Sequence, residues 1–385
     1  MRMSLSGFWR KMKFLISLIL FASAAACSIQ KPFGKRILDV VHFSTTGDVM
    51  VHNTQIAAAC RNSCTSYDFS PSFKSLPPYF AGKDFVIGNL ETTLPGKKED
   101  YTGYPLFGAP DALVKALKET GFNLLTTSNN HSLDKGKKAL RRTLDVLDSF
   151  GIAHMGTYRD QNDYAKNRVL LIEKKGIRFG FLSYTYGTNG IPIPKDTVVN
   201  IIDQKKIEDD ISQARTLGAN IIIVYFHFGS EYERLPSNEQ RKTVASAFKS
   251  GADIVLGGHP HVIQPYETWI LTDRFGEKKK RFVMFSLGNF VSSQYWRYSN
   301  GGILFEFDIL KTGEGKDFSF EVSGIKYHPL YVQKQYSPVF QYNVIPAKDY
   351  LDRKTDYRLN AEEEKKLTEL YNDTLEHLGR YSYIQ

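Results

Sequence analysis

Apolar runs alternate with amphipathic segments along most of the chain from residue 37 onward. The runs have the length and the β-branched or aromatic character of strands, and the segments repeat apolar residues with the period of a helix. This alternation predicts an α/β fold in which helices pack on parallel strands. The predicted strands are Ile37–Thr46, Asp84–Gly88, Asn123–Thr127, Ile221–Phe228, Ile254–Leu256 and Phe282–Leu287, and the predicted helices are Asp111–Thr120, Lys137–Phe150, Ile207–Leu217 and Glu239–Lys249.

Two segments have the pattern of hairpins and therefore predict mixed sheets. Leu170–Tyr184 carries two β-type runs around a Lys-Lys-Gly turn, and Gly301–Ser323 carries two around Thr-Gly-Glu-Gly. We predict one catalytic-type domain over residues 37–330.

The C-terminal part of the chain has a different composition. Residues 326–359 are rich in Tyr, Pro and Gln and show no clear period. Asn360 and Glu363 have the spacing of a capping box, which predicts a helix that runs to about Leu378. We predict a C-terminal extension over 331–385 that ends in this helix.

The first 26 residues have the charged, apolar and small-residue order of a secretory signal. The apolar run Phe14–Ala22 is too short to span a bilayer comfortably. The sequence Ala-Ala-Ala-Cys that ends at Cys27 resembles a bacterial lipobox, although Ala24 stands where that motif usually has Leu. We predict an exported lipoprotein, anchored on the periplasmic or cell-surface side through lipidated Cys27 and a tether over 27–36. Cleavage after Ala26 would instead give a soluble periplasmic or secreted protein.

Charge and cysteine content restrict the function further. The formal net charge is +9, and it falls to +5 without the four basic residues of the signal segment. The single dense basic run, Lys278–Arg281, does not form a stripe, so we expect no nucleic-acid partner. If Cys27 carries lipid, Cys60 and Cys64 remain as a pair, and an exported chain permits a disulfide between them.

Acidic, amide and imidazole side chains follow six of the predicted strands. Ligands bind at the carboxyl ends of the strands in open α/β sheets, so we expect these side chains to converge. Asp48 and Glu91 offer anionic oxygen, and His259-Pro260-His261 directs two imidazoles from one strand end. Mixed histidine and carboxylate ligands suit Mn, Fe or Zn better than Ca or Mg. The sequence therefore predicts a divalent-metal site.

These residues, in this order, resemble the CapA family of poly-γ-glutamate capsule biosynthesis proteins, a branch of the calcineurin-like metallophosphoesterases. The resemblance covers 41–335 and implies a four-layer α/β/β/α sandwich of the metallophosphatase type, with the site at one end of the two sheets. The motifs that carry it are Gly47-Asp48, Asn89-Leu90-Glu91, Asn129-Asn130-His131 with Asp134 and Gly136, Ser183–Gly190, His227–Tyr232, Gly258–His261 and Ser286–Phe290.

The resemblance also implies roles for individual residues. His131 matches the catalytic histidine that stabilises the leaving group or transition state. Met50 stands where the superfamily has a ligand histidine, and Asn89 stands where it has a bridging aspartate. The sequence is therefore compatible with a site that holds either one metal ion or two. The implied metal ligands are Asn130, His227 and His259 for one position and Asp48, Glu91 and His261 for the other.

Two hypotheses for the function follow. The first is a metal-dependent hydrolase of capsule, poly-γ-glutamate or related surface-polymer biosynthesis. The alternative is a non-catalytic accessory or export component that binds metal or polyanion. In either case the expected partners are an anionic surface polymer or its synthase and export complex, together with the membrane. The residues expected to shape a substrate pocket are Tyr186, Asn189, Glu231 and Tyr232.

Overall fold

The computed structural model of the protein describes residues 37–314 and 317–383. The predicted signal segment 1–26, the lipidation site Cys27 and the tether 27–36 lie outside the described residues. In the part of the chain that is described, no helix is both long and apolar enough to cross a membrane.

The helices and strands of the described residues alternate over much of the chain. The strands are β1 (Ile37–Val49), β2 (Cys60–Arg61), β3 (Ser66–Tyr67), β4 (Phe85–Leu90), β5 (Leu124–Thr126), β6 (Ala153–Met155), β7 (Thr157–Tyr158), β8 (Leu170–Lys174), β9 (Ile177–Thr185), β10 (Val198–Val199), β11 (Ile221–His227), β12 (Ile254–Gly258), β13 (Tyr266–Thr272), β14 (Lys278–Met284), β15 (Asn289–Val291), β16 (Gly301–Glu314), β17 (Asp317–Gln335) and β18 (Gln341–Pro346). The helices are α1 (Asn53–Ala59), α2 (Pro77–Phe80), α3 (Ala112–Thr120), α4 (Gly136–Ser149), α5 (Gln161–Asn167), α6 (Gln204–Thr216), α7 (Asn238–Ser250), α8 (Ala347–Leu351) and α9 (Ala361–Tyr381).

Two large mixed sheets contain most of these strands. The first has the order β18-β17-β16-β1-β4-β5-β6, and β15 also pairs with β1; the second has the order β13-β14-β12-β11-β9-β8. The neighbours β1, β4, β5 and β6 are parallel, as are β9, β11, β12 and β14. The predicted hairpins are confirmed, because β8 pairs antiparallel with β9 and β16 with β17.

The two sheets pack face to face through an aromatic core. The Phe43 ring lies 4.8 Å from that of Phe85 and 4.7 Å from that of Phe307 within the first sheet, and 5.5 Å from Phe179 of the second. Helices α3 and α4 cover the outer face of the first sheet, and α6 and α7 cover that of the second. The predicted α/β/β/α sandwich with mixed sheets is confirmed.

Strand β11 shows why these central strands have continuous apolar runs. Ile221, Ile223 and Tyr225 face the core between the sheets, whereas Ile222 and Val224 face the helices α6 and α7. Successive side chains of a strand point to opposite faces, so a strand covered on both faces needs an apolar residue at every position.

The predicted boundary at residue 330 falls inside strand β17. This strand continues to Gln335, and β18 pairs with it, so residues 331–346 extend the first sheet. The segment lacks hydrophobic alternation because its strands bury polar side chains that bond one another. Asn343 Nδ2 donates to Gln333 Oε1 at 2.9 Å, and both residues are buried.

The terminal helix α9 begins as its sequence predicts. Asn360 Oδ1 accepts from the backbone N–H groups of Glu362 and Glu363, both at 3.0 Å, and Asn360 N–H donates to Glu363 Oε2 at 2.9 Å. This capping box satisfies N–H groups that have no partner inside the helix. Elsewhere, Cys60 and Cys64 form a disulfide within the short β2–β3 hairpin.

Candidate metal centre

The predicted site residues lie at one edge of both sheets. Asp48 is in register with Asn89 on β4, and His227 is in register with Gly258 on β12. Because parallel strands end at the same edge, the loops that follow them bring their side chains together there. The sandwich then places the edges of the two sheets opposite each other, and the site lies between them.

Asp48 is an ionised carboxylate that the protein holds on both oxygens. Its Oδ1 accepts from Asn89 Nδ2 at 2.8 Å, its Oδ2 accepts from the His259 backbone N–H at 3.1 Å, and Oδ2 lies 3.2 Å from His261 Nδ1. Burial opposes ionisation, but the hydrogen bond with His261 and the positive potential of the imidazoles prevail. They lower the pKa of Asp48 to about 2.

Glu91 has the opposite environment. It is fully buried, and neither of its carboxylate oxygens has a hydrogen-bond partner within the described residues. Burial and the negative charge of Asp48 raise the pKa of Glu91 to about 8. A buried carboxylate without a partner is costly, and a coordinated cation removes that cost.

Three imidazoles surround these carboxylates. His227 Nε2 lies 3.4 Å from Glu91 Oε1 and 2.7 Å from Asn130 Oδ1, and burial lowers the pKa of His227 to about 3. Burial also lowers the pKa of His259 well below its usual range, and in the part of the chain that the structure describes His259 Nδ1 has no hydrogen-bond partner. Burial opposes protonation of His261 as well, but the charges of Glu91 and Asp48 raise its pKa to about 9. His227 and His259 are therefore neutral imidazoles, the form that binds metals.

These side chains form ligand groups that share Glu91. One group is Glu91, His227 and His259, and another is Asp48, Glu91 and His261; within each group the ligand atoms lie within 4.8 Å of one another. Asn130 adjoins the first group through His227. The six side chains fit a divalent metal, because they combine imidazole nitrogen and amide oxygen with two carboxylates, of which that of Glu91 has no hydrogen-bond partner among the described residues.

Asn89 supports the site and does not offer a free ligand atom. Its Nδ2 donates to Asp48, and its Oδ1 accepts from Thr126 Oγ1 at 2.8 Å and from Asn129 Nδ2 at 3.2 Å. Both ends of the amide are therefore used within the protein. The carboxylate common to the two ligand groups is that of Glu91, two residues further along the chain.

Met50 stands where the superfamily has a ligand histidine, and it provides no imidazole to the site. His52, two residues further along, does not take over that role. Met50 is 2% exposed. His52 Nδ1 accepts from the Ser293 backbone N–H at 3.3 Å, and the His52 ring packs edge-on against Phe107. His52 belongs to none of the candidate ligand groups formed by the described residues.

His131 faces the centre from the loop after β5. Its Nδ1 is 2.6 Å from Asp134 Oδ2, and its Nε2 is 4.0 Å from Glu91 Oε1. Asp134 is itself held by the Phe107 backbone N–H at 2.6 Å, and the Phe107 ring packs against His131. These contacts fix the imidazole so that Nε2 is the nitrogen that faces the site.

The four predicted pocket residues surround the mouth of the site. The exposed Tyr186 ring lies 4.5 Å from His259, and Asn189 Oδ1 accepts from Asn130 Nδ2 at 3.2 Å. The Tyr232 ring lies 6.2 Å from His261. Glu231, also exposed, has its carboxylate within 4.8 Å of ligand atoms of His259 and His261.

The structure adds positioning residues to which the sequence analysis assigned no role. Asn289, from the strand-end motif Gly288-Asn289, has its Oδ1 3.1 Å from His261 Nδ1. Asp134 orients His131 as described above. Gly258 is required for close packing, since a Cβ there would lie 2.1 Å from the Tyr225 hydroxyl and 2.6 Å from Asp48 Oδ1. Asn289 and Gly258 could have been found from the sequence, because each lies in a motif at the end of a strand.

The terminal helix α9 braces two loops at the mouth. His377 Nε2 donates to the Arg234 carbonyl at 2.9 Å, and Arg234 Nη2 donates to the Asp373 carbonyl at 3.2 Å. Arg297, in the loop after β15, makes a two-pronged contact with the Asp373 carboxylate at 2.8 and 2.9 Å. The C-terminal part of the chain therefore contributes to the shape of the site entrance.

This brace predicts sensitivity to acid. Burial and the charge of Arg234 lower the pKa of His377 from 6.5 to about 4. The unfolded chain then binds a proton that the folded protein resists, so stability falls as pH decreases from 6.5 to 4. We expect a His377→Gln variant to lose less free energy of unfolding than the wild type between pH 7 and 5, by about 1–2 kcal/mol. Urea unfolding at both pH values measures this, and equal losses in the two proteins would contradict it.

Comparison with solved structures identifies the class of protein. The chain superimposes on the NAD nucleotidase of Haemophilus influenzae with a TM-score of 0.50 and 16% identity, over 90% of this chain and 64% of that one. This similarity concerns the fold alone. Together with the four-layer sandwich, it shows that the protein has the metallophosphatase fold.

Within that fold the family is also established. The model of the bacterial capsule synthesis protein family PGA_cap matches residues 42–294, and the chain belongs to this family. It is 28% identical over 319 residues to the PGA biosynthesis protein CapA of Bacillus subtilis, covering 82% of this chain and 79% of that protein. It is 26% identical over 275 residues to the capsule biosynthesis protein CapA of Bacillus anthracis, covering 69% of this chain and 64% of that protein. The predicted resemblance to the CapA family is confirmed.

Proposed function

We propose that this protein is a metal-dependent hydrolase that acts during the biosynthesis of a capsule or another surface polymer. The names of its CapA relatives, which are a PGA biosynthesis protein and a capsule biosynthesis protein, support a role in the biosynthesis of such a polymer. One observation carries the proposal of a metal centre: Glu91 is buried between the histidines and Asp48, and neither of its oxygens accepts a hydrogen bond from the described residues. We propose one or two ions of Mn, Fe or Zn, held by Asp48, Glu91, Asn130, His227, His259 and His261.

The roles of the residues in hydrolysis follow from their positions. When bound, a divalent cation supplies the Lewis acidity that lowers the pKa of water and polarises a phosphoryl or carbonyl group. His131 can hold a proton at Nε2 and transfer it to the leaving group, because Asp134 fixes its other nitrogen. Tyr186, Asn189 and Tyr232 flank the mouth and are placed to contact the polymer or another substrate.

The location of the site on the fold suits an anchored protein. We propose that the protein is exported and is held at the membrane through Cys27 and the tether 27–36. Strand β1 begins at Ile37 and reaches the site at Asp48, which corresponds to a distance of about 36 Å at the rise of a strand. An anchor before β1 would therefore join the described part of the chain at the end of the sandwich opposite the site.

A second candidate function is that of a non-catalytic accessory or export component. Two observations favour it: Met50 offers no ligand atom, and Asn89 uses its whole amide within the protein. In this role the same side chains would hold a metal or a polyanion without turnover. The partner would be the polymer or its synthase and export complex.

Metal analysis of the purified full-length protein, coupled to hydrolysis assays, separates the two functions. The assays use an aryl phosphomonoester, an aryl phosphodiester and poly-γ-glutamate, each with added Mn²⁺ and with EDTA. The hydrolase predicts bound metal and EDTA-sensitive turnover of at least one of these. Bound metal without turnover of any of them would favour the accessory role, and a protein that retains no metal at any loading would refute the metal centre.

A further inference from the structure

We propose that Glu231 is a metal ligand that closes the centre from the solvent side. This inference rests on the proposed metal centre and extends it. The carboxylate of Glu231 and the imidazoles of His259 and His261 form a third ligand group, whose atoms lie within 4.8 Å of one another. The two buried ligand groups both contain Glu91, whereas this third group has an exposed carboxylate.

The neighbours of Glu231 belong to different buried groups. His259 is grouped with Glu91 and His227, and His261 is grouped with Asp48 and Glu91. A carboxylate next to one member of each group has two oxygens that can bind one ion or bridge two. Carboxylate oxygen and imidazole nitrogen together form a ligand set that Mn²⁺, Fe²⁺ and Zn²⁺ accept.

The backbone around Glu231 is held in place, although its side chain is exposed. The N–H of Tyr232 donates to the Pro260 carbonyl at 2.7 Å, which ties the loop to the segment between the two histidines. Tyr232, His259 and His261 adopt positive φ values of 68°, 95° and 57°. Residues other than glycine rarely adopt this conformation, which is energetically unfavourable for them. The fold therefore maintains an unfavourable backbone conformation at the point where Glu231 meets the histidines.

The electrostatics of the centre also favour a cation next to Glu231. The carboxylates of Asp48 and Glu91 lie within 4.8 Å of a ligand atom of His261, and so does the carboxylate of Glu231. The same three carboxylates would attract a divalent cation into the space that they surround. Because Glu231 lies at the solvent side, it is also the ligand that an incoming substrate could displace without disturbing the buried carboxylates.

Glu233 provides a matched control for the test. It lies two residues along the same loop, it is also exposed, and it belongs to none of the ligand groups found among the described residues. Its carbonyl accepts from Gln264 Nε2 at 2.8 Å, a backbone contact that a Glu233→Gln substitution leaves in place. Both variants remove one negative charge from the same loop, but only Glu231 has its carboxylate next to the histidines, and Glu231→Asp, which keeps the charge there, separates coordination from electrostatic attraction.

The experiment measures Mn²⁺ binding to full-length wild type, Glu231→Gln and Glu233→Gln by calorimetry and by the EPR signal of free Mn²⁺. We expect Glu231→Gln to weaken Mn²⁺ binding at least tenfold or to lose one of two ions, and Glu233→Gln to bind as the wild type does. Equal binding by all three proteins would overturn the role of Glu231 and leave the metal centre intact. A wild type that binds no Mn²⁺ would refute the metal centre itself. Glu231→Asp, which keeps the charge, is expected to bind with intermediate affinity, and it replaces Glu231→Gln in the comparison if the glutamine variant does not fold.

Discussion

A Glu91→Gln variant is expected to lose its affinity for divalent metal and, at the same time, to be more stable than the wild type in EDTA. The loss of affinity follows because Glu91 belongs to both buried ligand groups. Substitutions that affect metal ligands only indirectly cost 10–100-fold in metal affinity, so removal of a shared ligand is expected to cost about 100-fold or more.

The gain in stability follows from the buried carboxyl group. The pKa of Glu91 rises from 4.5 to about 8 on folding in the absence of metal. Above pH 4.5 the unfolded chain therefore releases a proton that the folded protein retains, and stability falls until about pH 8. Glutamine has no proton to release, so at pH 7 the metal-free variant is expected to gain up to about 3 kcal/mol in free energy of unfolding.

Unfolding in urea with EDTA and with Mn²⁺ measures both effects. The wild type should gain stability as Mn²⁺ increases, whereas Glu91→Gln should not respond, since ligand binding stabilises only a fold that binds it. Glu99→Gln, an exposed position on the 3₁₀ turn Lys98–Asp100, is the control and should respond as the wild type does. A Mn²⁺-induced shift in Glu91→Gln as large as that of the wild type would show that Glu91 is not a ligand.

Replacement of His131 by Ala is expected to reduce hydrolysis by about 10²–10⁴-fold, with metal content unchanged. His131 belongs to none of the candidate ligand groups of the described residues, and its Nε2 is 4.0 Å from Glu91 Oε1. Loss of its side chain therefore removes a proton donor and leaves the metal ligands in place. The hydrolysis rate of Asp134→Asn is expected to lie between those of His131→Ala and the wild type. Asparagine keeps a polar contact to His131 but lacks the negative charge of Asp134.

The measurement is the turnover of whichever substrate the wild type hydrolyses, together with metal analysis of each variant. His154→Gln serves as the control because His154 lies on the edge strand β6 and pairs with Asp148, not with the site. If His131→Ala kept full turnover with its metal bound, His131 would not act in the reaction. If it also lost its metal, its role would be structural.

The strand pattern was predictable because the central strands are covered on both faces. In β11 every position from Ile221 to Phe226 must be apolar, so the run is visible without any knowledge of its partners. The helix ends were predictable for a local reason too, since the capping box of α9 uses residues three positions apart. The strands beyond residue 330 were not predictable from the sequence. They are held partly by polar pairs such as Gln333 and Asn343, which show no hydrophobic period.

The candidate site was predictable as a set of residues but not as a set of contacts. Parallel strands deliver their carboxyl ends to one edge of a sheet, so the motifs of β1, β4 and β5 gather at one edge and those of β11 and β12 at another. The packing of the two sheets then brings these edges together. The sequence could not show that Asn89 would be consumed by hydrogen bonds to Asp48, Thr126 and Asn129. Nor could it show that Arg234 and Arg297 would both form hydrogen bonds with Asp373 of helix α9.

The sequence by itself therefore determined the α/β alternation, the hairpins and the residue types that gather at one edge, because these depend on local periodicity and on the direction of the strands. Only the tertiary structure decided the environments of those residues. Asp48 and Glu91 are both buried carboxylates at the end of a strand. The hydrogen bond and charge of His261 overcome burial and lower the pKa of Asp48 to about 2, whereas burial and the charge of Asp48 raise the pKa of Glu91 to about 8. The difference arises from groups that are distant in sequence and adjacent only in the folded sandwich.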